Sequence, residues 1–292
     1  MEIRKIGVIG AGTMGSGIAQ ACSQGGYTVM LRDTEQRFVD GAFERIKGSL
    51  ARFVKSGKMS QEDVDKVIRG IKGTVDLGEA GKDADLIIEA IFEDTEAKKA
   101  VFKELDDICP ERTILASNTS TIMITELASP VRRREKCIGM HWFVPAQIMK
   151  LIEVIRGAET SDETFDTIVE LSKKLGKVPV EAKDGPGFFT SRYIGSYFME
   201  AIRLFESGVA GIKEIDTMCK LGFGWPMGPF ELMDLTGLDI AMHASEYVCR
   251  EIGDPRHAAP ITLKKLVRAD YIGNKPGSKG GWYAYYKIEK GK

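Results

Sequence analysis

The stretch that most restricts the fold is KIGVIGAGTMGSGIAQ, residues 5–20, where an apolar run, a glycine turn and a helical pattern follow without a gap. Gly10 permits a tight turn, Gly12 leaves the backbone bare for close approach, and Gly15 lets a helix pack against the preceding strand. The N-terminus of that helix presents N–H groups and partial positive charge. With Thr13 and Met14 inside the turn, the segment reads as a cradle for the pyrophosphate of a dinucleotide. A mere strand-to-helix glycine turn is the competing reading. The next apolar run, YTVMLRD, ends in Asp33. An acid there accepts hydrogen bonds from both adenosine ribose hydroxyls and repels a 2′-phosphate, so the expected cofactor is NAD. Arg32 beside it leaves some NADP use open, and a flavin can use the same fingerprint.

Further runs with strand length and β-branched content are ADLIIEAI, TILASN, KCIGMHWF, KLIEVIRG and KVPVEAKD. Helix-period segments separate most of them, which predicts a largely parallel sheet covered on both faces. Between about residues 35 and 71, RFVDGAFERIKGSLARFV and EDVDKVIRGI read as two amphipathic helices joined by KSGKMS. Ser60 and Asp63 have capping-box spacing for the second helix. Near Asp184 the pattern changes. After DGPGF helical periodicity dominates, as in SRYIGSYFMEAIRLFESG and ELMDLTGLDIAMHASEYVCREIG. The expected fold is an α/β Rossmann-type N-terminal domain with a helical insertion, residues 1–184, followed by an all-α C-terminal domain, residues 185–292.

Composition excludes several classes. Lys plus Arg number 41 against 42 Asp plus Glu, a net charge of −1 that offers no footprint for nucleic acid or an anionic membrane. Five scattered cysteines, Cys22, Cys109, Cys137, Cys219 and Cys249, form neither a disulfide framework nor a metal ligand set. No run approaches the ~18 apolar residues of a membrane span, and the N-terminus lacks a signal-peptide pattern. The expected location is the cytoplasm.

GMHWFVPAQIMKLIEVIRG, residues 139–157, holds His141, one of only three histidines, and Glu153. If the two runs form an antiparallel hairpin centred on Gln147, positions summing to 294 face each other, as 141 and 153 do. Opposed residues have Cβ atoms about 5 Å apart, within reach of an imidazole–carboxylate hydrogen bond. The carboxylate would fix the tautomer and stabilise the imidazolium formed on proton uptake. A core histidine satisfied by a carboxylate is the alternative. A second cluster, Ser117-Asn118-Thr119-Ser120, closes the TILASN run, at the sheet edge where ligands sit in open α/β folds. Asn118 and its hydroxyl neighbours can orient a carboxamide or a substrate hydroxyl. One of them can instead cap the helix predicted in TIMITELA.

These motifs, with LIIEAIFED, PMGPFELMDLTGLD and GSKGGWYAYY, resemble the short-chain L-3-hydroxyacyl-CoA dehydrogenases, and their bacterial 3-hydroxybutyryl-CoA branch in particular, over essentially the full length. The resemblance implies that His141 takes the 3-hydroxyl proton while hydride passes to the nicotinamide, with Glu153 orienting it. It places Ser120 near both cofactor and substrate hydroxyl, Glu93 and Lys98 beside the cofactor, and Ser49, Lys55 and Lys58 near coenzyme A. It also implies a homodimer through the helical domain and a role in fatty acid metabolism.

Two departures stand out. The family usually reads H-F-F-N-P around the base, and here Val144 replaces that asparagine. It usually reads P-G-F-x-x-N-R at the domain junction, and here Ser191 replaces that one. Both changes fall around the acyl group. A pocket reshaped for a branched, cyclic or aromatic acyl chain and a divergent 3-hydroxybutyryl-CoA enzyme that tolerates both changes stand side by side. A dehydrogenase of a free hydroxy acid and a non-catalytic NAD-binding protein are the further alternatives.

Overall fold

The computed structural model describes residues 1–289, in two compact units, one ending at Gly185 and the other beginning at Pro186. The last three positions of the expected 185–292 domain lie outside the described residues.

The first unit contains one sheet of eight strands: β1 (Lys5–Ile9), β2 (Thr28–Arg32), β3 (Ile71–Thr74), β4 (Leu86–Glu89), β5 (Ile114–Ser117), β6 (Cys137–Trp142), β7 (Leu151–Arg156) and β8 (Val178–Lys183). Their order is β3-β2-β1-β4-β5-β6-β7-β8, parallel throughout except where β7 runs antiparallel to β6. Seven helices accompany them: α1 (Thr13–Gln24), α2 (Gln36–Lys55), α3 (Gln61–Arg69), α4 (Leu77–Gly81), α5 (Thr95–Ile108), α6 (Ile124–Ala128) and α7 (Asp162–Lys174). Strand side chains alternate between two cores, as a period of two requires. Ile6, Val8, Leu86 and Ile88 pack with Ile18 of α1, Ile46 and Leu50 of α2, and Ile168 of α7. Ile9, Ile87 and Leu115 face the opposite way, onto Phe102 and Leu105 of α5. Each such side chain, fully buried, contributes about 1.5–3 kcal/mol.

The helical pair is the enlarged crossover between β2 and β3. Val39, Ala42, Ile46, Ser49 and Leu50 form the buried stripe of α2. At the start of α3 the capping box is closed: Asp63 N donates to Ser60 Oγ at 3.2 Å, and Ser60 N to Asp63 Oδ2 at 3.4 Å. The helical period of EDVDKVIRGI predicts helix through Ile71 and no strand there. The structure places Ile71 in β3, opposite Val29. Of IKGT only Ile71 and Thr74 are buried, so this short edge strand carries no apolar run to betray it.

The second unit is helical: α8 (Thr190–Glu206), α9 (Ile212–Phe223), α10 (Pro229–Thr236), α11 (Leu238–Ile252), α12 (Ile261–Arg268) and α13 (Trp282–Tyr285). Met199, Ile202, Phe230, Met233, Leu263 and Trp282 are among its core residues. The stretch 231–253 reads as one helical pattern but breaks at Gly237, whose φ of +115° disfavours any residue with a Cβ. A buried carboxylate ties three elements together. Asp216 of α9 accepts from the first-turn amides of Phe230 and Glu231 at 2.9 and 3.0 Å, and from the Tyr283 hydroxyl at 2.8 Å.

Candidate active site

The glycine turn is built as its spacing demands. Gly10 has φ +104°, and a Cβ there would lie 2.5 Å from Ala90 O; a Cβ on Gly15 would lie 1.7 Å from Gly10 O. Gly12 differs, since a Cβ there would meet nothing within 4 Å. Its bare face opens away from the protein at the start of α1, where no side chain caps the helix. Thr13 and Met14 form the first turn. The residues present therefore fit a dinucleotide pyrophosphate, with backbone N–H groups available to an anion.

Asp33 closes the turn from β2. Its Oδ2 accepts from Ala11 N at 2.7 Å and its Oδ1 from Thr34 N at 2.7 Å. A carboxylate has about four acceptor positions, so capacity for ribose hydroxyls remains. The Arg32 guanidinium turns to Val75 O at 3.2 Å. Arg45 of α2, which the sequence reading did not single out, donates to Ala11 O and approaches Ser16 Oγ at 3.4 Å. Ala11 is thus held through both of its backbone groups.

The cofactor-side loop after β5 rests on a buried charge network. Glu89 ends β4, and its Oε1 lies 2.7 Å from Lys98 Nζ. Its Oε2 accepts from Ser117 Oγ at 2.6 Å. Lys98 also meets Glu93 at 3.3 Å, with its side chain only 1 % exposed. Glu93 Oε1 in turn accepts from Thr119 Oγ1 at 2.6 Å, Ser120 N at 2.8 Å and Thr121 N at 3.0 Å. Desolvation pushes the Glu93 carboxyl up, but the Lys98 charge and these donors outweigh it and hold it below the usual carboxylate range. Lys98 is an internal support for Glu93, and Glu93 faces the loop that carries Ser120. Glu89 was missed, although an acid inside the apolar run LIIEAI signals a buried partner.

His141 and Glu153 stand directly opposite in the β6–β7 register. The Nδ1···Oε2 distance is 2.6 Å, and both residues are buried. The Phe143 ring lies 4.5 Å from the imidazole. Asn118 spends its Oδ1 on Trp142 N at 2.9 Å, stapling the end of β5 to the strand that bears His141. The expected cap of α6 by one of residues 117–120 is not formed. Its N-cap is Met123, and Asp184 instead accepts from Ile124 N and Thr125 N at 2.8 and 2.9 Å.

A cavity of about 370 Å³ lies between α1, α2 and the β6–β7 turn, with Thr13, Met14, Ser49, Val144 and Gln147 in its wall. Three expected site groups, on the glycine turn, the helical pair and the turn after the base, thus meet at one opening. Val144 is 59 % exposed. Ser49 is buried, and its Oγ accepts from Gln147 Nε2 at 3.0 Å. Lys55, the last residue of α2, and Lys58, in the turn that follows, are exposed and do not line the cavity. Ser191 lies in the first turn of α8, in the second unit. Among the described residues no cluster of three or more His, Cys, Asp or Glu is arranged to hold a metal, and no helix is long and apolar enough to cross a membrane.

Residues 5–185 match the family model of the 3-hydroxyacyl-CoA dehydrogenase NAD binding domain, and residues 187–285 that of the 3-hydroxyacyl-CoA dehydrogenase C-terminal domain. A 3-hydroxybutyryl-CoA dehydrogenase of Clostridioides difficile is 44 % identical over 283 residues, covering 97 % of this chain and all of the relative. The mitochondrial hydroxyacyl-coenzyme A dehydrogenase of Homo sapiens is 40 % identical over 289 residues, 97 % of this chain and 91 % of that one. The crystal structure of the (S)-3-hydroxybutyryl-CoA dehydrogenase PaaH1 from Ralstonia eutropha superposes with a TM-score of 0.89 at 38 % identity, over 95 % of this chain and 98 % of that one. On sequence, domain order and three-dimensional structure alike, the chain belongs to the 3-hydroxyacyl-CoA dehydrogenase family.

Proposed function

We propose that the protein oxidises an L-3-hydroxyacyl-CoA to the 3-oxoacyl-CoA, or runs the reverse, with His141 as the base. The observation that carries this is the buried 2.6 Å contact between His141 and Glu153, on the same sheet edge as an intact glycine turn. Bound NAD supplies the hydride acceptor. Gly10, Gly12, Thr13, Met14 and Gly15 hold its pyrophosphate, Asp33 its ribose, and Glu93 and Asn118 border its nicotinamide end, Lys98 acting through Glu93. The Glu153 carboxylate accepts from His141 Nδ1–H and fixes the tautomer that presents Nε2 to the 3-hydroxyl. It then offsets the positive charge that forms when Nε2 takes the proton. Ser120 orients the substrate hydroxyl. Ser49 supports the CoA moiety through the cavity wall, while Lys55 and Lys58 act on its phosphates from the end of α2 and the turn that follows.

The acyl group is where this chain differs. An exposed valine at position 144 and a serine at 191 favour a branched, cyclic or aromatic 3-hydroxyacyl chain over a short linear one. The helical unit, with Val209, Leu221 and Phe223 exposed, is the proposed homodimer surface. An acyl-CoA substrate supports a role in fatty acid metabolism, and the cytoplasm is the location proposed with it.

NAD reduction over a panel of linear, branched, cyclic and aromatic 3-hydroxyacyl-CoAs, each beside its free acid, tests the reading. Turnover restricted to thioesters, with the bulkier chains preferred, is expected. Equal KM for thioester and free acid would exclude CoA recognition.

A further inference from the structure

The turn between β6 and β7 brings Val144 and Gln147 to the cavity, yet few of its own backbone bonds hold it. Ile148 N and Met149 N both donate to Pro145 O at 2.9 Å. The carbonyls of Ala146 and Met149 point instead at a side chain from elsewhere in the unit. Lys177, immediately before β8, donates to them at 2.7 and 2.8 Å. Its ammonium also stands over the Trp142 ring, 5.4 Å from the centroid.

Lys177 is 8 % exposed, and no carboxylate among the described residues pairs with it. The buried thiol of Cys22 offers no counter-charge, since burial pushes its pKa up to about 12 and keeps it neutral. Burying an ammonium without an acid is unfavourable unless its N–H groups are well used. The sheet does not need it, since Val178 N already pairs with Lys150 O at 2.7 Å. What the ammonium does hold is the turn, which the Gln147–Ser49 bond ties separately to α2.

We infer that Lys177 is a positioning residue for the substrate, its ammonium clamping residues 144–149 so that Val144 and Gln147 keep the shape of the acyl-CoA cavity. This rests on the acyl-CoA reading above. Lys177 touches neither the glycine turn nor the dyad, so its loss falls on thioester recognition.

Steady-state kinetics and NADH fluorescence titration of Lys177→Met provide the test. KM for the best 3-hydroxyacyl-CoA should rise about tenfold, as for loss of a hydrogen bond to a charged donor. The kcat should stay within about threefold and NADH affinity within about twofold, since the base and the dinucleotide cradle are left in place. Lys177→Gln keeps two N–H donors without the charge. It should give a smaller rise in KM with the same unchanged NADH affinity, and it decides the matter if the methionine variant does not fold. An unchanged KM in a folded variant, or KM and NADH affinity worsening together, would overturn the inference. If the unmodified enzyme oxidises no 3-hydroxyacyl-CoA, the acyl-CoA reading and this inference fall together. If it turns over normally and the variants match it, only the clamp falls.

Discussion

Lys98 and Lys177 are both ammonium groups buried in the Rossmann-type unit, and their surroundings differ chiefly in the presence of carboxylates. Lys98 sits between Glu89 at 2.7 Å and Glu93 at 3.3 Å. Burial pulls its pKa down, but the two carboxylates outweigh burial and hold it above the ordinary lysine value. Lys177 has only carbonyls and a ring face, burial prevails, and its pKa falls below that value. One ammonium organises the cofactor-side loop by neutralising charge. The other organises the substrate-side turn by hydrogen bonds to carbonyls, without a counter-charge. A buried lysine is therefore not one kind of object, and its partners decide what its removal does.

Lys98→Met should strain the comparison most. It leaves Glu89 and Glu93 without their counter-charge, and breaking a buried pair costs about 3–5 kcal/mol. Urea unfolding of Lys98→Met and of Lys98→Met with Glu89→Gln measures this, and the double variant should recover part of the loss. A cost under about 1 kcal/mol would show the network to be solvent-screened in the manner of a surface pair. Lys177→Met leaves two neutral acceptors behind and should cost less, about 1–3 kcal/mol.

Alkaline pH separates the two lysines by sign. A lowered folded pKa means that the unfolded chain binds more protons between that value and the ordinary 10.5, so the Lys177 contribution rises with pH there. A raised folded pKa gives a contribution that is complete below 10.5 and lost only as pH climbs through the raised value, which is the case of Lys98. Thermal unfolding from about pH 8 to 10 should show wild type gaining on Lys177→Met while its margin over Lys98→Met stays level. Parallel curves would remove the distinction.

The smallest expected effect concerns the acyl preference proposed above. Val144→Asn with Ser191→Asn should raise kcat/KM on 3-hydroxybutyryl-CoA about three- to tenfold, the scale of one regained hydrogen bond. No change would mean that other residues set the acyl preference.

How much of this was legible follows from what each residue depends on. The glycine turn and the His141–Glu153 pairing rest on local spacing and on a hairpin whose register a sum of positions fixes, so both were visible in the sequence. The strand β3 was not, because IKGT lies at an edge and buries only Ile71 and Thr74. The break at Gly237 was hidden inside an unbroken helical period. Ser49 could be placed on α2 but not oriented, and only the fold shows it buried beneath Gln147. Glu89, Arg45 and Lys177 have partners at sequence separations of 9, 34 and 31, which periodicity does not report. An acid in LIIEAI was nonetheless a signal that a buried cation stood nearby.

NADH formation by His141→Ala, under saturating NAD and the preferred 3-hydroxyacyl-CoA, bears on the chemistry most directly. The expected result is a fall in kcat of about 10³, within the range of a lost general base, with NADH affinity unchanged. Turnover within a few-fold of wild type would contradict the role given to His141 and return it to the status of a core histidine.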